Sequence, residues 1–77
     1  MQLPTIDLHD SASIQEALSA LDTGLFLLFK KGEREVRVIH GIGTGKLAGA
    51  VHESLEKNPM VVGRKEAADG GSCVVFL

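Results

Sequence analysis

The chain has 77 residues and a net charge of −2, with 44% hydrophobic and 23% charged residues. This length predicts one small domain over residues 1–77, and the composition excludes a disordered chain. No apolar run approaches the ~20 residues that span a bilayer, and the N-terminus lacks a signal-peptide pattern. The single cysteine excludes an internal disulfide. These features are typical of a cytoplasmic protein, which we expect to be monomeric and without a membrane partner.

The composition also argues against two common modes of nucleic-acid binding. A negative net charge provides no overall basic field. Trp and Tyr are absent and Phe occurs three times, which disfavours a sheet that stacks bases on aromatic side chains. Nine glycines and three histidines stand out instead, and their positions decide the functional interpretation.

Hydrophobic periodicity predicts a strand and then a long helix in the first part of the chain. Residues 3–9 contain the apolar–polar alternation of a strand. A capping box formed by Ser13 and Glu16 opens a helix of about five turns, which ends at Gly32. Gly24 lies inside this helix and costs about 1 kcal/mol relative to Ala. The predicted inward stripe consists of Ile14, Ala17, Leu18, Leu21, Leu25, Leu28 and Phe29.

The remaining residues predict three more strands and one more helix. In chain order these are a strand over 36–40, a glycine loop, a helix over 46–57, a strand over 60–67 and a strand over 72–77. The second helix is expected to face inward with Leu47, Ala50, Val51 and Leu55. His52 is expected on its surface, and Cys73 is expected as a small core residue of the last strand.

The order β-α-β-α-β-β predicts an α/β fold, a two-layer sandwich with two helices on one face of a four-stranded mixed sheet. Both β-α-β crossovers are expected to be right-handed and to place their strands side by side in parallel. The last strand is expected to pair antiparallel with its predecessor through a turn at Gly70 and Gly71.

Three chemically active side chains follow the first two strands. Asp7 and His9 end the first strand and His40 ends the second. Because the carboxyl ends of parallel strands meet at one edge of a sheet, we expect all three side chains there. Asp7 and His9 are two residues apart and so leave the same face. Each residue alone has a common structural role, but together they are candidate catalytic groups for a phosphodiester.

The loop after His40 is the candidate phosphate-binding element. Glycines allow backbone N–H groups to approach an anion closely, and the following helix N-terminus attracts negative charge. The candidate phosphate- or nucleic-acid-binding residues are Gly41, Gly43, Thr44, Gly45 and Lys46. The loop lacks the Walker A spacing. It matches the dinucleotide fingerprint only weakly, which leaves a small nucleotide-binding protein as a third functional class.

Segments from both ends and the middle of the chain resemble the small MutS-related (Smr) domain family. They are Ile6–His9, Val38–Leu47 and Gly71–Leu77. The family's Asp-x-His motif falls on Asp7 and His9, and its His-Gly-x-Gly-x-Gly loop falls on His40, Gly41, Gly43, Thr44 and Gly45. Two departures are Asp10, where the family usually has glycine, and Ala68-Asp69, where a late glycine motif is interrupted.

The resemblance implies the same two-layer sandwich, nucleic-acid binding and, in many members, endonuclease activity on DNA or on messenger RNA, in some cases at ribosomes. For RNA, we expect one histidine to deprotonate the 2′-hydroxyl and the other to protonate the leaving oxygen. For DNA, we expect Asp7 and His9 to hold Mg²⁺ or Mn²⁺ that activates water. The alternative is a non-catalytic module that binds nucleic acid or the ribosome through the same edge.

Overall fold

The computed structural model describes residues 2–77; Met1, the first residue of the predicted domain, lies outside the described residues. Two helices and four strands occur in the predicted order. They are β1 (Thr5–Asp7), α1 (Ile14–Lys30), β2 (Glu35–Ile39), α2 (Lys46–Lys57), β3 (Gly63–Glu66) and β4 (Ser72–Phe76). Among residues 2–77, no helix has the length and apolar character needed to cross a membrane.

The four strands form one mixed sheet in the order β1-β2-β4-β3. β1 and β2 are parallel neighbours, and β4 is antiparallel to both β2 and β3. The predicted α/β sandwich is therefore confirmed, but the expectation that the second crossover joins adjacent strands is wrong. β4, with the sequence Ser-Cys-Val-Val-Phe, takes the interior place because it is the more apolar strand, and the charged β3 is left at the edge.

The core lies between one face of the sheet and the two helices. Alternate strand residues and the inner faces of both helices are almost completely buried, which explains why β2 alternates between exposed and buried positions. The buried residues are Leu8, Ala17, Leu21, Leu25, Val36, Val38, Val51, Leu55, Cys73, Val75 and Leu77. Exposed side chains such as Glu35 and Arg37 lie on the other sheet face.

The predicted inward stripe of α1 is confirmed in its middle and wrong at its ends. Ile14 and Phe29 are exposed, although they follow the helical spacing of the buried residues. A helix of 17 residues is ~25 Å long, whereas a five-residue strand spans only ~17 Å. The ends of α1 therefore extend beyond the sheet that buries its centre.

The predicted end of α1 at Gly32 is confirmed, and the described residues contain one of the two hydrogen bonds of the predicted capping box. The Ser13 Oγ accepts a hydrogen bond from the Glu16 N–H at 3.1 Å. Gly32 has a φ of 92°, and the N–H of Glu33 donates to the carbonyl of Leu28 at 3.1 Å. A left-handed glycine with this backward hydrogen bond is typical of a helix C-terminus.

β3 is shorter than the predicted strand over residues 60–67 because a turn takes up its first residues. The Asn58 Oδ1 accepts from the Met60 N–H at 2.9 Å, and the Asn58 carbonyl accepts from the Val61 N–H at 3.1 Å. These bonds close the turn after α2. Regular pairing with β4 begins at Gly63.

The glycine inside α1 has a packing role. A Cβ built at Gly24 would lie 2.8 Å from the Ile6 Cδ1, which is closer than van der Waals contact allows. Gly24 therefore lets α1 approach β1 closely. The lower helix propensity of glycine, compared with alanine, is the free-energy cost of this close packing.

We predict that Gly24→Ala gains less than the usual ~1 kcal/mol in the natural chain, and gains more when Ile6→Val removes the Cδ1 methyl group and leaves only the γ carbon at 3.2 Å. Chemical denaturation of the two single variants and the double variant measures this coupling. Gly49→Ala is the matched control, because nothing lies within 4 Å of a Cβ at that helical position. It should stabilise the protein by about 1 kcal/mol in both backgrounds. A similar gain from Gly24→Ala alone would contradict the packing role.

Candidate functional site

The pairing of β1 with β2 brings the end of one strand beside the loop that follows the other. Asp7 is in register with Ile39, and the N–H of Leu8 donates to the Ile39 carbonyl at 2.7 Å. His9 consequently lies against the glycine loop. A Cβ built at Gly41 would be only 3.3 Å from the His9 Cβ.

Asp7 and His9 form a hydrogen-bonded pair on the surface. The Asp7 Oδ1 accepts from the His9 backbone N–H at 3.1 Å and also contacts the ring Nδ1. Because an ionised carboxylate only accepts, Nδ1 carries the proton of this contact, and Nε2 is left for chemistry. Both side chains are about half exposed, at 49%. The carboxylate thus orients an imidazole that solvent and ligands can reach.

Two carboxylates act on the protonation of His9. The hydrogen bond to Asp7 is the main reason why the pKa of His9 is raised above its ordinary value, and the charge of Asp10 raises it further. In return, the hydrogen bond from His9 lowers the pKa of Asp7. The Asp10 Oδ1 lies 3.3 Å from the His9 Nε2 and its side chain is 90% exposed. His9 is therefore biased toward the imidazolium form, which is a proton donor.

The glycine loop ends in a helix N-terminus that the protein does not cap. Gly45 is the N-cap residue of α2, with a φ of 84°, and it has no side chain to accept a hydrogen bond. The first turn of α2 contains no acidic residue. At α1, by contrast, Ser13 and Glu16 occupy the corresponding positions. The Lys46 N–H donates to the Thr44 Oγ1 at 3.4 Å, but those of Leu47 and Ala48 donate no backbone hydrogen bond within residues 2–77. The start of α2 therefore keeps its positive dipole end and N–H groups for an anion.

The turn between β3 and β4 is hydrogen-bonded to the start of the glycine loop. The Gly71 carbonyl accepts from the N–H groups of both His40, at 3.0 Å, and Gly41, at 2.9 Å. The Asp69 Oδ1 accepts from the Gly71 N–H at 2.8 Å, which lowers the pKa of Asp69. The N–H of Gly45 donates to Ile42 at 3.2 Å. The N–H groups of Gly41 and Gly45 are thus used within the protein.

His40 lies in a different environment from His9. It continues the inward alternation of Val36 and Val38 and is only 4% exposed. Its Nδ1 contacts the Gly41 carbonyl at 2.8 Å. The carbonyl can only accept, so Nδ1 is the donor and Nε2 carries the lone pair. His40 thus forms the floor of the loop, whereas His9 stands on its exposed side.

A cleft of about 440 Å³ gathers most of the predicted site residues. It is lined by residues 41–47 together with His9, Ile14 and His40. Asp7 does not line the cleft itself, but it is hydrogen-bonded to His9, which does. Ile14, which its helical spacing predicts to be in the core, is exposed and provides an apolar wall of the cleft.

The prediction that His52 lies on the surface is wrong. His52 is half-buried, and its ring meets that of His40 edge-on at a centroid distance of 5.4 Å. Cys73 is buried beside them, as expected for a core residue, and burial raises the pKa of its thiol to about 11. The sequence does indicate that His52 is partly buried, because it follows Val51 and so lies at the border of the apolar face of α2.

Comparison with protein-family models matches residues 6–77 to the Smr domain. The chain belongs to the Smr domain family. A crystal structure of the Smr domain of Thermus thermophilus MutS2 superposes with a TM-score of 0.90 and 32% identity, covering 97% of this chain and 98% of that chain. This similarity agrees with the two helices and four-stranded mixed sheet described above.

Two curated relatives carry the name Endonuclease MutS2. The protein from Halothermothrix orenii is 44% identical over 77 residues, which cover 95% of this chain and 9% of the relative. The protein from Aquifex aeolicus is 35% identical over 84 residues, which cover all of this chain and 11% of the relative. The chain therefore spans about a tenth of the length of these relatives.

We predict that Asp7→Asn shifts the titration of His9 to lower pH, because the hydrogen bond that most raises its pKa loses its charge. NMR titration of the three histidine ring protons measures this shift. The raised pKa also has a consequence for stability. The contribution of the pair is fully present between the pKa of an unfolded aspartate and that of an unfolded histidine. It is lost as the pH rises through the raised pKa of His9 or falls through the lowered pKa of Asp7. An unchanged His9 midpoint in the variant would contradict the pairing.

Proposed function

We propose that this domain binds the phosphate backbone of a nucleic acid at the glycine loop and cleaves it with His9 as the proton donor. The main support is that an exposed imidazole, oriented by Asp7, lines the same cleft as a helix N-terminus without a capping side chain at its N-cap residue. The names of the MutS2 relatives, which describe endonucleases, favour the same activity. A ribosomal RNA surface offers the same backbone chemistry and belongs to this substrate class.

The proposed binding step uses the loop and the first turn of α2. Gly43 and Thr44 have N–H groups that donate no backbone hydrogen bond within residues 2–77, and Gly43 adopts a φ of 40°. Together with the α2 dipole they suit one phosphate group. Lys46 adds a positive charge in the first turn. Such a site needs correctly placed donors and little net charge, which is compatible with a chain of charge −2.

The proposed chemical step uses the pair described above. The imidazolium of His9 gives its Nε2 proton to the leaving oxygen, while Asp7 holds Nδ1 and stabilises the charged ring. The free N–H groups of the loop stabilise the negative charge that develops on the phosphorus oxygens. In RNA the neighbouring 2′-hydroxyl is the nucleophile, and in DNA a water molecule takes that place. In each case the nucleophile's proton passes to solvent as its oxygen bonds to phosphorus, and the bond from phosphorus to the leaving oxygen breaks.

The proposal gives His40 a positioning role. Its Nδ1 holds the Gly41 carbonyl and its ring is buried, so His9 is the histidine that a substrate reaches first. A Mg²⁺ or Mn²⁺ ion at Asp7 and His9 would have to displace the hydrogen bond between them. We therefore propose that His9 acts as a general acid and that no metal ion binds to Asp7 and His9.

The position of Asp10 favours a second candidate function, a binding module without chemistry. Its carboxylate lies 3.3 Å from the His9 Nε2, the nitrogen that the proposed mechanism needs. A negative charge there also repels a phosphate. In that case the same loop would hold a nucleic-acid backbone without cutting it.

We predict that His9→Gln slows cleavage by about 10²- to 10⁴-fold, the usual contribution of a general acid. The pure protein is incubated with end-labelled single-stranded RNA and with supercoiled DNA, each with chelator, Mg²⁺ or Mn²⁺. Asp7→Asn should also slow cleavage, and Asp22→Asn, an equal charge change on α1 outside the cleft, is its matched control. Far-UV circular dichroism verifies that each variant is folded.

The outcomes of this experiment separate the candidates. Cutting in the presence of chelator supports acid catalysis, whereas cutting only with Mg²⁺ or Mn²⁺ supports the metal version. Binding without new ends under all conditions overturns the cleavage proposal and supports the binding module. Equal cutting by the natural protein and the His9→Gln variant would remove His9 from the mechanism.

We predict opposite effects on nucleic-acid affinity from two charges at the cleft. Lys46→Ala should weaken binding and lower the salt-dependence slope by about one, because one phosphate contact is lost. Asp10→Asn should strengthen binding, because it removes a repulsive charge. Fluorescence anisotropy with a labelled oligonucleotide at several salt concentrations measures both. Asp22→Asn controls for net charge, and an equal gain from that variant would contradict a local effect of Asp10.

A further inference from the structure

A second cluster of chemically active groups lies beneath the glycine loop, between the sheet and α2. It consists of His40, His52 and Cys73. One ring nitrogen from each histidine and the Cys73 Sγ all lie within 4.8 Å of one another. His40 and Cys73 are buried and His52 is half-buried. The three residues come from the end of β2, the middle of α2 and the start of β4.

The Nε2 of His40 points to a missing ligand. It is buried and has no hydrogen-bond partner in the described part of the chain, residues 2–77. The Nδ1–H of His40 donates a hydrogen bond to the Gly41 carbonyl, so Nε2 carries a lone pair. A buried acceptor without a donor is costly. A histidine whose other nitrogen donates to a backbone carbonyl is in the tautomer and orientation that metal ligation requires.

We propose that His40, His52 and Cys73 bind one Zn²⁺ ion. Imidazole nitrogen and thiolate sulfur are usual ligands of zinc in proteins, and three protein ligands leave the fourth tetrahedral position open, as in catalytic zinc sites. Mg²⁺ and Mn²⁺ prefer oxygen ligands, so this site selects against the ions expected at Asp7 and His9. The proposal is independent of the proposed cleavage activity.

The space within the cluster suits a tetrahedral ion after a small contraction. Zinc bonds of ~2.0–2.3 Å place two ligand atoms of a tetrahedral site about 3.3–3.8 Å apart. Separations of up to 4.8 Å therefore need to shrink by about 1–1.5 Å. When the Zn–S bond forms, the thiol proton of Cys73 passes to solvent.

Glu66 borders the cluster as a supporting carboxylate for His52, although its oxygens are not among the ligand atoms that lie within 4.8 Å of one another. It is the register partner of Cys73 across the β3–β4 pair. Its Oε1 lies 2.9 Å from the His52 Nε2, yet this nitrogen has no partner with hydrogen-bond geometry within residues 2–77. The Glu66 side chain is 45% exposed. Arg64 also contacts Glu66 and must share it with the ion.

Metal titration of the reduced, chelator-treated protein tests the proposal. Co²⁺ should bind with a stoichiometry of one and produce a thiolate-to-metal charge-transfer band, and Zn²⁺ should displace it and raise the unfolding temperature. Cys73→Ser should abolish the band, and His52→Gln should abolish binding at the same metal concentrations. Glu66→Gln should weaken binding by about 10- to 100-fold, as expected for a carboxylate that supports a ligand.

His9→Gln is the matched control, because it makes the same change to a histidine outside the cluster and should leave metal binding unchanged. Loss of binding in His9→Gln but not in His52→Gln would place the metal at Asp7 and His9 and overturn the proposal. Absence of Co²⁺ and Zn²⁺ binding by the natural protein would also overturn it. If Cys73→Ser fails to fold, Cys73→Ala with the same titration decides the question.

Discussion

The parallel pairing of β1 with β2 is the contact on which the functional half of the molecule depends. β1 has only three residues, and its hydrogen bonding continues past the strand through the Leu8 N–H to the Ile39 carbonyl. This bond aligns the two strand ends, so that a residue near position 9 meets the glycine loop. Since Leu8 is buried in the core, the alignment is secured by apolar packing as well as by backbone hydrogen bonding.

The strand alternation then separates two chemical environments within a few residues. Asp7 and His9 leave β1 on the solvent side, whereas His40 follows Val36 and Val38 into the interior. One histidine is therefore available to a substrate at the cleft, and the other is available to groups under α2. The loop between them is held by the Gly71 carbonyl, which accepts two of its N–H groups. The glycine loop thus has one side that faces the solvent and His9, and another side that is buried against His40.

The element order, the caps of α1 and the bounds of α2 could be predicted because local patterns determine them. The place of β4 between β2 and β3 could not, because it depends on which strand gains more from burial on both sides. The convergence of His9 with the loop followed from strand polarity. The burial of His40 was missed, although its alternation with Val38 indicates it, and the contact of His52 with His40 required the packing angle of α2.

Both edges of the sheet are poor templates for further strands. β1 is short and follows Pro4, while β3 contains Arg64, Lys65 and Glu66. Between β2 and β3 lies β4, whose segment Cys73–Phe76 has the uncharged, β-branched and aromatic composition found in amyloid-forming peptides. Because its two neighbours occupy both of its hydrogen-bonding sides, edge-to-edge association is blocked in the folded protein. Opening of β3 would expose one hydrogen-bonding side of β4, so the charged edge strand shields the uncharged β4 from pairing with other chains.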